Sequence, residues 1–521
     1  MDRTQRAAQV VAEASAVLQA GVAARLEAWD QADLGTIERQ LQGVMRQVSG
    51  ALLGALAARR VAAQAGERPG CARCGGRMRL VETARPRFVQ GLAGDVQLRR
   101  PYYHCAACRQ GAAPLDAAWG LGGGALSPEL TRVACRDGIE GAFAVGADLL
   151  REHLGIHVDA EAVRRATEAV GAVAEADQQD RSRWAVAPEA VPSTLLLALD
   201  GVLVHERAVW RECKLLRVAP LGPGVVADAQ TGETSLALGP SSYAAGIESA
   251  DACWRRSMRE AWRRGWGRGV RTVVVLGDGA EWIWRQARCQ LSARGCEVVE
   301  ILDFYHVTEH LGTVAAAVFG AGSAAAAAWL DRQRHALRHQ GGGPVRRALA
   351  KLRPLTAAAA EEVRKARGYL RTHAHRLHYP AFRARHFPIG SGVIESTAKN
   401  LIQLRQAQAG MRWGLPGAQA VASLRALHRS GRWAPFWESR PQDRLHLLPP
   451  AAAAPVAPPA PPAVGPRPAP PPVLLDPAPA PLGRDPVPPP APPEPAPRSR
   501  KPWEKGKDYW RRQSLFHRRS A

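Results

Sequence analysis

The 521-residue sequence contains no unbroken apolar run of about 20 residues, the length a membrane-spanning helix needs. Its Ala-rich stretch from Thr313 to Leu330 is weakly hydrophobic and interrupted by Gly320 and Gly322, so it reads as a soluble helix. The opening segment, MDRTQRAAQVVAEASAVLQAG, lacks the charged start and clean apolar stretch of a secretory leader. A disulfide framework is missing too: of nine cysteines, four form two CxxC pairs, and Cys135, Cys213, Cys253, Cys289 and Cys296 are scattered. These absences point to a reducing, cytoplasmic compartment with no membrane partner. Acidic residues are scarce: 47 Asp and Glu stand against 70 Lys and Arg, a formal net charge of +23. Such a balance points to a polyanionic partner, most often nucleic acid. Fifteen tryptophans, several beside arginines, suit contact with a nucleic-acid backbone and bases.

What the chain does have is apolar runs that end in aspartate. STLLLALDGVLVH, Ser193 to His205, reads as a strand buried on both faces and carrying Asp200. A carboxylate in such a strand is costly unless something pairs with it, and a metal ion in a cleft is the natural partner. TVVVLGDG, Thr272 to Gly279, repeats the pattern and delivers Asp278. Around these two strands the sequence predicts a second strand at Arg211 to Ala219, a short third at Leu236 to Leu238, and a helix over 248–270. A helix from Glu281 and a strand at Cys296 to Leu302 follow, the latter running into Asp303-Phe304-Tyr305-His306. This β-β-β-α-β-α-β order predicts an α/β domain of ribonuclease-H-like fold over 190–445. Residues of about 307–385 read as helical with a loop at Gly341 to Pro344, and PIGSGVIEST, Pro388 to Thr397, leads into a helix carrying Glu395.

Phosphodiester cleavage and strand transfer both need in-line attack on phosphorus. Two Mg²⁺ (or Mn²⁺) ions about 3.5–4 Å apart can activate the attacking oxygen and stabilise the leaving one. Hard cations of this kind take a few carboxylate oxygens and keep room for water and phosphate. Asp200, Asp278 and Glu395 supply such a set. Lys399, Arg405, Arg412 and Trp413, which follow Glu395, are candidates to hold the DNA backbone beside it.

Other regions flank this domain. Residues 1–65 read as helical, with Val10, Val11, Ala14, Val17 and Leu18 on one face and breaks near Gly21 and Gly35. They fit a packing or oligomerisation pair, or a DNA-end binder. In 66–120, Cys71 and Cys74 (CARC) and Cys105 and Cys108 (CAAC) flank a hairpin-like segment, the pattern of a zinc ribbon with a structural Zn²⁺. Arg77, Arg79, Arg85, Arg87, Arg99 and Arg100 on it read either as DNA contacts or as a solvated basic face. The helical segment 121–185 starts at Ser127-Pro128-Glu129 and contains a possible helix-turn-helix, with Gly155 at the turn, Asp159 as N-cap, and Arg164 and Arg165 as DNA-binding candidates. Residues 446–497 are rich in Pro and Ala and read as a disordered linker. The tail 498–521, with Trp503, Tyr509, Trp510 and Phe516 among basic residues, reads as a non-specific DNA grip or a solubilising end.

From about residue 60 to 440 the chain resembles bacterial insertion-sequence transposases of the DDE class, close to the ISKra family and more distantly to Mutator-like transposases. The likeness is carried by LALDGV around Asp200, VLGDGAEWIW around Asp278, ILDFYHVTEHL around His306 and PIGSGVIESTAKNLIQLRQAQAGMRWG around Glu395. It implies Asp200, Asp278 and Glu395 as a catalytic triad, and makes the stretch between Asp303 and Glu395 an all-α insertion. Asp303 and His306 match a DxxH element, which implies His306 near the scissile phosphate. The implied activity is cleavage at transposon ends and strand transfer into target DNA. A homodimer or higher oligomer, associated with a bacterial nucleoid, would act on terminal inverted repeats. A metal-dependent nuclease of the same fold that cuts without joining, and a non-catalytic DNA-binding regulator, stay open at this point.

Overall fold

A computed structural model describes residues 2–63, 69–180, 183–187, 190–207, 209–227, 234–291, 295–390, 392–439, 441 and 443–444. The linker and basic tail read at 446–497 and 498–521 lie outside the described residues.

The chain begins with a helical hairpin, Arg3–Ala23 and Leu34–Ala63. Its turn falls between Ala24 and Asp33, around the single helical turn Leu26–Trp29, and not at Gly21 or Gly35. Gly21 stays helical because it marks the close approach of the two helices: a Cβ there would lie 2.7 Å from Val44 Cγ1. Next come three antiparallel strands, β1 (Arg79–Val89), β2 (Val96–His104) and β3 (Gly111–Ala112). After the short helix Pro114–Ala118 come three longer ones, Pro128–Glu140, Phe143–Leu154 and Ala160–Gln179, with Ser127 and Asp159 as side-chain N-caps of the first and third of these. Gly155 takes the left-handed conformation (φ +62°) that ends the second of them.

The larger sheet contains β4 (Thr194–Glu206), β5 (Val209–Ala227), β6 (Thr234–Leu238), β7 (Ser242–Gly246), β8 (Thr272–Gly277) and β9 (Glu297–Leu302). The order is β6-β5-β4-β8-β9, with β7 also on β5. β4 and β5 are antiparallel, whereas β8 and β9 run parallel to β4. β5 extends past the expected Ala219 because both halves find a partner: Lys214 to Val218 pair with β7, and Leu221 to Ala227 with β6. β6 and β7 therefore occupy one lane of the sheet, interrupted between Leu238 and Ser242. The apolar triplet at 236–238 had marked only the first half of that lane.

The helix Ala250–Arg263 links β7 to β8 and stops short of the expected 270, because Gly265, Gly267 and Gly269 all adopt positive φ. The helix Glu281–Leu291 links β8 to β9. Five helices fill the segment before the last motif: Phe304–Phe319, Ala324–Gln340, Gly342–Lys351, Ala357–Thr372 and Tyr379–Ala384. The loop expected at Gly341 to Pro344 shrinks to Gly341, since Gly342 already begins a helix. Gly392–Ala398 then passes through a π-helical turn, Lys399–Gln403, and the chain continues into Leu415–Arg429 and Trp433–Glu438. The apolar runs of β4 and β8 pack with Trp254, Trp284, Phe304 and Leu311. The outer half of β4, Val202 and Val204, packs instead with Leu401, Ile402, Trp413 and Val421.

Candidate active site and cysteine cluster

Three aspartates line up at the carboxyl end of the parallel ladder; β8 and β9 stop there, whereas β4 runs on to Glu206 alongside β5. Leu199 of β4 pairs with Gly277 of β8, and Gly277 pairs with Leu302 of β9. Asp200, Asp278 and Asp303 are each the next residue, so they stand side by side at the carboxyl edge of adjacent strands.

Each is held differently. The Asp200 carboxylate accepts the Gly201 N–H at 2.7 Å. Burial, and then the nearby charge of Asp278, push its carboxyl up to about 7, against the opposing pull of the Gly201 N–H and His306. Asp278 Oδ1 accepts the Ala280 N–H at 2.9 Å, and its carbonyl accepts the Trp284 indole N–H at 3.1 Å. Asp303 is buried and caps the helix Phe304–Phe319, accepting the Tyr305 N–H at 2.7 Å. Its other oxygen faces His306 Nδ1 at 3.3 Å, an ionic contact rather than an aligned hydrogen bond. Burial alone would lower the His306 pKa, but Asp303, with Glu309 and Asp278, outweighs it and lifts the imidazole to about 9. At neutral pH the edge thus presents an imidazolium among carboxylates.

Glu395 is half-buried on the helix Gly392–Ala398, which packs on β4 and β5. The segment leading into that helix is fixed to the Asp303 end of the sheet. The Phe304 N–H donates to the Ile389 carbonyl at 2.9 Å, and a Cβ on Gly390 would fall 2.4 Å from Tyr305 Cε2. The fold therefore brings all four motifs to one sheet. It does not draw Asp200, Asp278 and Glu395 into a single close ligand set: among the described residues, the four cysteines are the one group of three or more metal-ligating side chains so gathered.

Cys71, Cys74, Cys105 and Cys108 have their sulfur atoms within 4.8 Å of one another and could hold a metal ion such as zinc. Two tight turns present them. The Cys71 carbonyl accepts the Gly75 N–H at 2.8 Å, its N–H donates to Gly76 at 2.8 Å, and the Cys105 N–H donates to Gln110 at 2.8 Å. Backbone N–H groups of Arg73 and Cys74 aim at the Cys71 sulfur and hold its thiol down to about 6, the form that binds metal. Cys71, Met78, Tyr103 and Cys105 make a very small core beneath β1–β3. A strong chelator should therefore collapse this sheet while the larger one persists. Amide exchange of β1 and β2, read with and without chelator and after adding back Zn²⁺, checks this; unchanged protection would rule out a structural metal.

Several residues expected to meet DNA are committed elsewhere. Arg405 is 1% exposed, donates to the Gly138 carbonyl at 2.9 Å, and lies between Phe143 and Trp413 at 4.7 and 4.8 Å. Trp413 is itself buried, with its N–H on the His205 carbonyl at 3.0 Å and its indole on the Gln406 carbonyl at 3.1 Å. Neither side chain is available to a phosphate, so both are corrected to packing residues. Lys399 and Arg412 are exposed. Arg164 is held between Glu161 and Glu168, which offsets its charge, and Arg165 alongside is exposed. The helix carrying them is no free-standing reader: it is embedded against Leu415–Arg429, where a Cβ on Gly171 would fall 2.5 Å from that of Ala420. On the cysteine sheet, Arg87 and Arg100 converge on Asp116 at 2.8 Å each, whereas Arg77, Arg79, Arg85 and Arg99 face solvent.

Asp303 belongs to the same row as Asp200 and Asp278. The same signature, an apolar strand running into aspartate (CEVVEILD), was visible in the sequence. No known family model and no curated protein matches the chain.

Proposed function

We propose that the chain is a DNA transposase with a ribonuclease-H-like catalytic domain, cutting at the ends of its element and joining the freed 3′-hydroxyl to target DNA. The observation that carries this reading is the row of Asp200, Asp278 and Asp303 at the carboxyl edge of β4, β8 and β9, with the Glu395 helix packed on β4. A mixed sheet in which an antiparallel β5-β4 pair is extended by parallel β8 and β9 supports the fold assignment. The proposed ligands suit hard divalent cations: Asp200, Asp278 and Glu395 are all carboxylates and partly open to solvent, and burial with the charge of Asp278 sets Asp200 against its own charge. Two Mg²⁺ ions, when bound, supply activation of the attacking oxygen and stabilisation of the leaving one. Asp200 and Asp278 would hold them from the strands and Glu395 from its helix. His306, kept protonated by Asp303, orients that carboxylate and offers a positive charge to the scissile phosphate. The cysteine cluster, as a zinc ribbon, and the exposed arginines around it supply a separate grip on the DNA backbone, which positions without reading sequence. The assembly on DNA would be a homodimer or larger.

Product analysis tests this reading. A duplex carrying the inverted repeats that flank the coding region, incubated with Mg²⁺ and a target plasmid, should yield both nicked ends and joined products. Asp278→Ala and Glu395→Ala should lose both while still binding the duplex. Cutting without joining would favour the nuclease, and full activity in either variant would reject the site.

A further inference from the structure

The helical segment that follows β9 brings one more polar group beside the residue after Asp278. Tyr369 lies on the helix Ala357–Thr372. Its ring packs against His310 and His373, with centroids 4.2 and 4.8 Å away and planes tilted by 33° and 56°. The edge of the ring that carries the hydroxyl abuts Gly279, the residue that follows Asp278. A Cβ on Gly279 would fall 2.2 Å from Tyr369 Cε2 and 2.8 Å from its hydroxyl, so only glycine at 279 lets the ring come this near. The hydroxyl is buried and has no hydrogen-bond partner among the described residues. Tyr379, in the same core, shows the ordinary outcome: its hydroxyl donates to the Leu302 carbonyl at 2.7 Å. An unmet buried hydroxyl is destabilising and calls for an explanation. A phenol keeps its proton at neutral pH, so the group is a donor without an acceptor.

We propose that Tyr369 contacts the substrate, its hydroxyl donating a hydrogen bond to a non-bridging oxygen of the phosphodiester bound at Asp200 and Asp278. The inference rests on the phosphodiester chemistry proposed above. It gives the insertion a direct part in holding the reacting group, with Gly279 as the residue that makes room for it.

Tyr369→Phe tests this, because it keeps the ring, its contacts with His310 and His373 and the approach to Gly279, and removes only the O–H. Two readouts are taken on the full chain. In Mg²⁺, cleavage of the repeat-bearing duplex should fall about 10- to 100-fold, the range for losing one hydrogen bond to a charged acceptor, while the thermal midpoint holds or rises. In Mn²⁺, inorganic phosphate should raise the wild-type midpoint and raise that of Tyr369→Phe less. A wild type that cuts, with a variant that cuts equally and responds equally to phosphate, overturns the Tyr369 contact and leaves the transposase reading standing. A wild type that never cuts, yet shows a Tyr369-dependent phosphate response, overturns the reading and upholds the contact. A phosphate response independent of Tyr369, without a cleavage defect, overturns the contact in every case.

Discussion

Asparagine in place of Asp200 is expected to abolish cleavage and, in the same protein, to raise stability at pH 8. The activity loss should be about a thousandfold or more, about 4 kcal/mol of barrier, since the proposed cation ligand is removed. The stability gain follows from the carboxyl's surroundings. Its pKa is raised from 3.8 to about 7 by burial and by Asp278. A group raised in the folded state contributes stability that is complete below 3.8 and is lost as pH rises through 7. Above that, ionised Asp200 costs the fold up to about 4 kcal/mol, at about 1.4 kcal/mol per pH unit. His306 has the same sign: raised from 6.5 to about 9, it stabilises below 6.5 and loses that contribution as pH climbs through 9. The cation-free protein should therefore weaken between pH 4 and 9, and Mg²⁺ should restore it. Thermal melts at a series of pH values, with and without Mg²⁺, measure this. Asp200→Asn should melt several degrees higher than wild type at pH 8 without Mg²⁺, and the gap should close towards pH 4. An asparagine variant no more stable than wild type at pH 8 would show that the carboxyl is not held against its charge.

Glu260→Ala should cost about 3–5 kcal/mol, a large share of the roughly 5–15 kcal/mol that holds a typical domain folded. Glu260 is fully buried on the helix Ala250–Arg263. Arg432 grips it bidentately at 3.0 and 2.9 Å, and Arg263 bonds the same carboxylate. Arg263 also donates to the carbonyls of Asp177 and Gln178 at 3.0 and 3.3 Å, and both guanidinium groups lie against Trp184. The cluster joins the end of the helix Ala160–Gln179, the helix beside the large sheet, and the segment before Trp433. Removing the carboxylate leaves two buried cations facing each other. Burial alone would raise the Glu260 pKa, but Arg432 and then Arg263 overcome it and hold the carboxyl down to about 2. Its contribution is therefore present above about 4.5 and lost as pH falls through 2. Chemical denaturation at pH 7 reads the loss directly; a change below about 1 kcal/mol would mean the arginines find other partners.

The strands that carry the site were legible because their signal is local. Buried parallel strands are continuous apolar runs, and an aspartate ending such a run stands out in β4 and β8 without any knowledge of neighbours. The lane shared by β6 and β7 was only half visible: SYAAG has little apolar bulk, and it becomes a strand because β5 offers it a partner. The arginine-tryptophan pairings were the most misleading feature. In a sequence, such neighbours look alike whether they meet DNA or each other. Here Arg405 stacks on Trp413, Arg376 on Trp284 at 4.2 Å, and Arg268 on Trp262 at 4.7 Å. Part of the basic-aromatic composition is thus spent on contacts within the molecule: Arg405–Trp413 is buried, Arg268–Trp262 is a local surface pair, and Arg376–Trp284 joins segments far apart in the chain. Tyr369 carried no sequence signal of its own, since only the packing of the helix Ala357–Thr372 on Gly279 brings its hydroxyl beside the residue after Asp278.

Anomalous diffraction from Mn²⁺-soaked crystals locates the cations themselves. At least one Mn²⁺ peak is expected within coordination distance of both Asp200 and Asp278, with the Glu395 carboxylate turned towards the same ions. Saturating Mn²⁺ that leaves no peak beside Asp200 and Asp278 would overturn the proposed site.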